Sequence, residues 1–265
     1  MPEITTPYAP GTPCWIDLSA PDQQAALDFY RDLFGWQGEI GPPEFGGYAN
    51  CELHGKSVAG IMSAQPMGDQ PPPPTAWTTY FATPDADATA RAITENGGTV
   101  LFPPDDVATL GRMAIAADPD GAVFGIWQAK DFPGAGIANE HGALIWSELA
   151  TRDPARARAF YPAALRIDIA PMEIEGVEGM DDYYGINAGG RTVGGMSVQG
   201  EDTPKEVPAH WLTYFAADDT DSTVDALIKA GGNVIQPPFD MPAGRMSVVQ
   251  DPQGAVFAVI TPRPV

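Results

Sequence analysis

The chain contains one long unit written twice, and this repeat limits its possible folds more than any single residue does. Residues 76–98 (AWTTYFATPDADATARAITENGG) return as residues 210–232 (HWLTYFAADDTDSTVDALIKAGG), with Trp77 matching Trp211. The segments GRM and DPDGAVF, at 111–113 and 118–124, return as GRM and DPQGAVF at 244–246 and 251–257. A unit of about 130 residues is large enough for a domain. The repeat therefore predicts two domains, residues 1–129 and 143–265, joined by a Gly- and Pro-containing linker at 130–142.

Composition narrows the class of partner. The 44% hydrophobic and 18% charged content of the 265 residues is typical of an ordered globular chain. A formal net charge of −21 argues against nucleic acid or an anionic membrane surface as a partner. The sequence contains no apolar run long enough to span a bilayer and no signal-peptide pattern at Met1. We therefore expect a cytoplasmic protein, a monomer or a homodimer, whose partner is a small molecule.

Each half divides again into two units with the same order of elements. The first strand alternates, with Trp15 and Asp17 on one face and Ile16 and Leu18 on the other. The helix that Pro21 opens presents one apolar face and ends at Gly35; the face comprises Ala26, Phe29, Tyr30, Leu33 and Phe34. Further strands follow, and the order strand, helix and about three strands recurs. The prediction is four βαβββ units.

Several short motifs resemble those of one known family. They are Trp15-Ile16-Asp17-Leu18, then Phe29-Tyr30 and Phe34-Gly35-Trp36, and later Gly97-Gly98 and Asp118-Pro119-Asp120-Gly121. This pattern resembles the vicinal oxygen chelate family, also called the glyoxalase/bleomycin-resistance/dioxygenase superfamily, in its tandem two-domain form. The resemblance implies an α+β fold with two glyoxalase-like domains. Each would be a pair of βαβββ modules forming a cup-shaped mixed sheet with helices outside. We expect the modules to pair within one domain, although pairing across domains is the alternative.

The resemblance also implies where a divalent metal would be held, and those positions lack suitable side chains. The expected ligand positions fall on Trp15 and Gly125 and near Gly60-Ile61 and Thr78 in the first half. In the second half they fall on Trp146 and Ala258 and near Gly195-Met196 and Leu212. Indole has only an N–H donor, and metals of this kind need His nitrogen or carboxylate oxygen. We therefore expect no cofactor at the usual site; a divalent metal would require ligands elsewhere in the chain.

Three titratable residues are candidate catalytic groups. Asp17 and Glu148 lie two residues after the expected first-strand ligand, so strand parity directs both into the cups. They would orient a polar ligand or act as general bases; the alternative is a structural carboxylate bound to backbone or to an arginine. His210 begins a strand of the second half and would bind ligand or transfer a proton, or else hydrogen-bond to backbone.

The candidate ligand-binding residues are aromatic side chains and two arginines. The parity of the strands directs five aromatic residues into the cups: Trp15, Tyr80, Trp127, Trp146 and Tyr214. They would line an apolar site for a planar ligand, or simply fill the cups. Arg112 and Arg245 occupy equivalent GRM positions and would bind an anionic group or tie a loop to the strands through a salt bridge.

Two functions from different classes follow. The first is a metal-free protein that binds a small hydrophobic or aromatic drug or metabolite, with a role in sequestration or antibiotic resistance. The second is an enzyme, a lyase, an isomerase or a dioxygenase or hydroxylase, that uses a relocated metal site or acid–base catalysis. Metal content and pH-dependent turnover discriminate between them.

Overall fold

Two mixed β-sheets, one from each half of the chain, form the framework of the molecule. The computed structural model describes residues 7–65, 72–172, 182–201 and 203–263. The first half contains β1 (Pro13–Ala20), α1 (Gln23–Phe34), β2 (Ala49–Leu53), β3 (Lys56–Ser63), β4 (Ala76–Ala82), α2 (Ala86–Glu95), β5 (Thr99–Val107), β6 (Gly111–Ala117) and β7 (Val123–Ala129). The second half contains β8 (Leu144–Thr151), α3 (Pro154–Leu165), β9 (Asp168–Pro171), β10 (Tyr183–Ala188), β11 (Arg191–Val198), β12 (His210–Ala216), α4 (Thr220–Lys229), β13 (Asn233–Met241), β14 (Gly244–Gln250) and β15 (Val256–Pro262).

The sheets pair modules within each half. The first has the order β2-β3-β1-β4-β7-β6-β5, and the second has the order β13-β14-β15-β12-β8-β11-β10-β9. The antiparallel pairs β1/β4 and β8/β12 join the two modules of each sheet at its centre. This is the predicted α+β fold with two glyoxalase-like domains, each curved into a cup.

The hydrophobic cores, in contrast, pair modules across the two halves. One core joins α1 and β1–β3 to residues of α4 and of the strands around it, such as Phe215 and Phe257. The other joins α2, Phe81 and Phe124 to α3 and Trp211. The convex faces of the sheets and their helices are therefore packed together, and the concave faces point outward. Burial of these apolar surfaces is what holds the two domains as one body.

Four aspartates start the four helices. Asp22, Asp85, Asp153 and Asp219 each accept a hydrogen bond from the backbone N–H three residues later, at 2.7–3.0 Å. Such caps satisfy an amide that the helix cannot pair. Helix α1 consequently begins after Asp22 rather than at Pro21, and it ends at Gly35 in the left-handed conformation (φ 76°).

The residues that resemble the family's motifs form the contact between the domains. Trp77 Nε1 donates to the Tyr30 hydroxyl at 3.1 Å, and this hydroxyl donates to Asp251 Oδ2 of the other half at 3.1 Å. Asp251 Oδ1 also accepts the backbone N–H groups of Gln253 and Ala255 at 2.8 and 2.9 Å.

The same chain of bonds occurs in the opposite direction, with Trp211, Tyr161 and Asp118 at 3.0 and 2.9 Å. Asp118 Oδ1 likewise accepts two backbone N–H groups of its own turn, those of Asp120 and Ala122. The aspartates of the two DP-containing turns therefore connect the domains and do not face the cups.

Two strands continue through consecutive prolines. Strand β5 contains Pro103 and Pro104, and β13 likewise contains Pro237 and Pro238. Both are edge strands, and their pairing register shifts at the prolines. An edge position accepts a residue without an N–H donor, which is why the prolines do not end these strands.

Candidate functional site

The concave face of the first sheet encloses an apolar cavity. Its volume is about 270 Å³, and its wall consists of Trp15, Asp17, Tyr48, Asn50, Ser57, Tyr80, Val107, Leu110, Met113, Trp127 and Phe132. Ligand pockets for drug-sized molecules usually range from about 300 to 1,000 Å³, so this cavity suits a small ligand. Aromatic and aliphatic side chains form most of the wall, and the only charged side chain among them is Asp17.

Asp17, one of the residues that line this cavity, is held by two tyrosine hydroxyls. Its side chain is 3% exposed. Tyr80 donates to Asp17 Oδ2 at 2.9 Å and Tyr48 donates to the same oxygen at 3.3 Å, while Trp15 Nε1 donates to the Tyr48 hydroxyl at 2.7 Å. No hydrogen bond to Oδ1 occurs within the described residues. The carboxyl group therefore has one oxygen fixed by the protein and one that a ligand can use.

Burial changes the acidity of this carboxyl group. Desolvation raises the pKa of Asp17 from 3.8 to about 7, although the hydrogen bonds from Tyr80 and Tyr48 partly oppose the shift. The pKa values of both tyrosines are raised well above 10 by burial and by Asp17, so they stay neutral donors. Asp17 can thus gain or lose a proton near neutral pH, while its neighbours cannot.

The segment predicted as the interdomain linker forms part of the cavity wall. The Phe132 ring packs edge-on against Trp15 at 4.9 Å between ring centroids, and its carbonyl accepts a hydrogen bond from Trp127 Nε1 at 2.9 Å. Ala135 N donates to the carbonyl of Cys14 at 2.8 Å, and the Tyr8 hydroxyl donates to the Ala135 carbonyl at 2.8 Å. Residues between the sheets therefore complete the first cup.

The second cup contains the same arrangement around a glutamate. Trp146 Nε1 donates to the Tyr183 hydroxyl at 3.0 Å, which donates to Glu148 Oε2 at 2.8 Å. Ser197 donates to Glu148 Oε1 at 2.9 Å, and burial raises the pKa of Glu148. Tyr214, with its raised pKa, faces the same carboxyl group. Both oxygens of Glu148 are bound by the protein, which distinguishes it from Asp17.

The expected metal-ligand positions do not form a donor set. In the first sheet Gly60 lies opposite Asp17, and Gly125 lies opposite Tyr80. A Cβ atom at Gly60 would overlap the Tyr48 hydroxyl, and one at Gly125 would overlap the Tyr80 ring. In the second sheet Gly195 makes room for the Tyr183 hydroxyl in the same way. Tyr48, Tyr80 and Tyr183 therefore occupy the space that a larger side chain at these glycine positions would need. Within the described ranges, no group of three His, Cys, Asp or Glu residues is placed to hold a metal.

The two arginines do not enter the cups. Arg112 pairs with Asp87 of α2 at 2.9 Å and with Asp106 at 3.5 Å, and Arg245 pairs in the same way with Asp221 and Asp240. Met113, the next residue of β6, lines the cavity, so Arg112 lies on the opposite face of the strand. Both arginines therefore follow the salt-bridge alternative, each tying a helix to its sheet. The ligand-binding role of Arg112 and Arg245 stays a prediction.

His210 lies at the edge of the second cup. Its Nδ1 is 2.9 Å from the carbonyl oxygen of Pro208. Burial raises the pKa of Glu148, and the hydrogen bonds from Tyr183 and Ser197 oppose this shift more than His210 does. The structure thus places Asp17, Trp15, Tyr80 and Trp127 together in one cup. Glu148, His210, Trp146 and Tyr214 lie in the other.

Sequence reasoning missed the residues that complete these networks. Tyr48 precedes Gly60 by the same number of residues as Tyr183 precedes Gly195, so the repeat itself carried a signal for both tyrosines. Ser197 has no serine counterpart in the first half, where Met62 occupies the equivalent position. Phe132 had no signal, since it belongs to a segment without a repeated partner.

Comparisons with known proteins agree with this architecture. The family model for the Glyoxalase/Bleomycin resistance protein/Dioxygenase superfamily matches residues 14–126 and 143–259. A putative glyoxylase, CFP32 of Mycobacterium tuberculosis, is 42% identical over 260 residues, which cover 97% of each chain. The anthracycline biosynthesis protein DnrV of Streptomyces peucetius is 40% identical, over 96% of this chain and 94% of that protein.

Solved structures resemble the chain in fold at low identity. A Mn(II)-bound glyoxalase from Novosphingobium aromaticivorans has a TM-score of 0.63 at 15% identity, over 96% of this chain and 83% of its own. The 2,3-dioxygenase LapB from Pseudomonas sp. KL28 has a TM-score of 0.60 at 15% identity, over 97% and 96%. Within the described residues, no helix is long and apolar enough to cross a membrane.

Proposed function

Because the chain belongs to the glyoxalase/bleomycin resistance protein/dioxygenase superfamily, whose members carry varied sites on one fold, we propose a function from its own cups: metal-independent binding of a small, partly aromatic molecule in the first cup. The observation that carries the proposal is the cavity of about 270 Å³ that is lined by aromatic rings and by the buried Asp17. Its aromatic wall supplies contact area, and the carboxyl group fixes orientation.

The lack of metal-binding side chains at the expected ligand positions supports the same proposal. Gly60 and Gly125 lie where the family would place ligands, and Tyr48 and Tyr80 fill the space that larger side chains would need. Tyrosine hydroxyls with raised pKa values are poor ligands for a divalent metal, since such metals bind the deprotonated oxygen. Binding therefore relies on ring contacts and on Asp17.

The relatives favour a role in the handling of a natural product. One of them is named for anthracycline biosynthesis, and anthracyclines contain fused aromatic rings. Sequestration of an antibiotic or a similar metabolite in the cytoplasm is the role that fits a binding protein of this kind.

A bulky side chain inside the first cup is expected to abolish binding. Met113→Trp fills the cavity, and Met246→Trp makes the equivalent change in the second cup. Both variants and the parent protein, treated with a chelator, are titrated with a panel of small aromatic compounds and followed by calorimetry. We expect binding by the parent and by Met246→Trp, with at least tenfold weaker binding by Met113→Trp; thermal unfolding checks that each is folded. Binding that requires added metal, or that Met246→Trp alone removes, contradicts the proposal.

Acid–base catalysis in the same cup is the second candidate function. It is favoured by the pKa of about 7 at Asp17, because a general base works best when its pKa is near the working pH. The same panel tested for conversion by mass spectrometry distinguishes the two. Turnover that falls with loss of Asp17 at unchanged ligand affinity supports catalysis, and unchanged compounds after prolonged incubation support binding alone.

A further inference from the structure

The first cup presents a buried carboxyl group without a cationic partner. The residues that line the cavity include no Arg, Lys or His. Asp17 Oδ2 accepts two tyrosine hydroxyls, and Oδ1 accepts none of the hydrogen bonds within the described part of the chain. A buried carboxylate that lacks an opposite charge is costly, and an ion of opposite charge removes much of that cost.

Aromatic rings surround the same space. Trp15, Tyr48, Tyr80, Trp127 and Phe132 all contribute to the wall, so a group beside Asp17 is within reach of several rings. The faces of such rings attract cations, most strongly when the cation is removed from water. The formal net charge of −21 also raises the local concentration of cations over that of anions.

We propose that the ligand of the first cup is an organic cation, an aromatic or alkyl ammonium whose charged nitrogen lies beside Asp17 and against the surrounding rings. This inference rests on the proposed binding function and adds the chemical class of the ligand. A neutral acceptor, such as a carbonyl group, would instead bind the protonated form of Asp17, and the two cases have opposite pH dependences.

The second cup does not offer the same site. Ser197 donates to Glu148 Oε1 and Tyr183 donates to Oε2, so both oxygens are already bound. A cation is therefore expected to select the first cup.

Among the titratable groups around the cavity of the first cup, Asp17 is the one expected to change its charge near neutral pH. The titratable groups that face Asp17 are Tyr48 and Tyr80, and the thiol of Cys14 lies behind Tyr80, donating to its carbonyl at 3.4 Å. Burial raises the pKa values of all three groups, so they stay neutral between about pH 5 and 9. The ionisation of Asp17, with a pKa of about 7, then sets the pH dependence.

The test compares benzyltrimethylammonium, whose charge is fixed at every pH, with its uncharged carbon isostere neopentylbenzene. Tryptophan fluorescence or calorimetry follows binding to the full chain between about pH 5 and 9. We expect the cation to bind at least tenfold more tightly than the isostere at about pH 8, and its affinity to fall about tenfold per pH unit below 7. In Asp17→Asn, the affinity for the cation is expected to fall to that for the isostere and to become independent of pH. Glu148→Gln, the equivalent change in the second cup, is expected to do neither.

Four outcomes overturn the inference, and they differ in what they imply for the proposed binding function. Equal binding of both probes in the first cup, independent of pH, leaves the proposed binding function intact. Tighter binding at low pH, for either probe, shows that the protonated carboxyl group is the one used. Loss of cation binding in Glu148→Gln places the cation in the second cup, and no binding by either probe contradicts the binding function itself.

Discussion

Asp17→Asn is expected to make the protein more stable at about pH 8 while it removes the charged group of the first cup. The folded-state pKa of Asp17 is about 7, against 3.8 for an exposed aspartate. Between these values the folded chain holds a proton that the unfolded chain has released, so the free energy of unfolding falls as the pH rises. The stabilising contribution is complete below about pH 4 and is lost by about pH 7. Asparagine is neutral throughout and keeps an oxygen for the tyrosine hydroxyls.

The size of this effect follows from the shift. A difference of about three pKa units corresponds to on the order of 4 kcal/mol. The free energy of unfolding of Asp17→Asn minus that of the parent is therefore expected to increase by this amount between about pH 4 and pH 8. Urea denaturation at several pH values measures it. Glu148→Gln serves as the control for the second cup, where the pKa of the carboxyl group is also raised. A difference that does not change with pH would contradict the buried, unpaired state of Asp17.

Removal of either interdomain aspartate is expected to destabilise the whole chain by about 3–5 kcal/mol. Asp251 accepts two backbone N–H groups of its own turn and the Tyr30 hydroxyl of the other domain. Asp251→Ala removes the acceptor of these three donors, of which the Tyr30 hydroxyl and the Ala255 N–H are buried. Asp118→Ala does the same to Tyr161 and to the turn that contains Asp118. Because the cores join modules of both domains, the loss should lower the stability of both domains together.

Three control variants distinguish the loss of an interdomain aspartate from the loss of an exposed helix cap or of a single hydroxyl group. Asp85→Ala removes an exposed helix cap, which costs about 1 kcal/mol. Tyr30→Phe and Tyr161→Phe delete only the interdomain hydroxyls, and their effects should lie between those of the cap and the buried aspartates. Chemical denaturation followed by tryptophan fluorescence and by circular dichroism gives the comparison. A loss at Asp251 no larger than that at Asp85, or a first transition confined to one domain, would contradict the shared core.

The repeat and the alternation of residues predicted the duplicated units and the order of their elements, and the resemblance to a known family implied the fold that these elements build. Trp15 and Asp17 lie on the concave face and Ile16 and Leu18 in the core, as their alternation in β1 required. The apolar face of α1 is buried for the same reason. The proline-containing ends of β5 and β13 were missed because the tolerance of proline depends on being at a sheet edge, which only the assembled sheet defines.

The site was predictable only in part. Strand parity placed Asp17, Tyr80 and Trp127 in the first cup, but it could not give the hydrogen bond from Tyr80 to Asp17, since this bond depends on the register of β1 against β4. Phe132 comes from a segment between the sheets, and its docking on Trp15 is a tertiary contact without a local pattern. The sequence left two roles open for Arg112 and Arg245, because a repeated polar residue has the same signature in a site and in a salt bridge.

The carboxyl titration of Asp17 is the measurement that tests the central claim most directly. Carbon-13 NMR of the parent protein, with Asp17→Asn to assign the signal, follows this group between about pH 4 and 9 with and without saturating benzyltrimethylammonium. The account predicts a pKa of about 7 in the free protein and a lower pKa in the complex, because the bound cation favours the carboxylate. A pKa near 3.8 in the free protein, or one that a saturating cation leaves unchanged, would contradict the assignment of Asp17 as the ligand-binding group of the first cup.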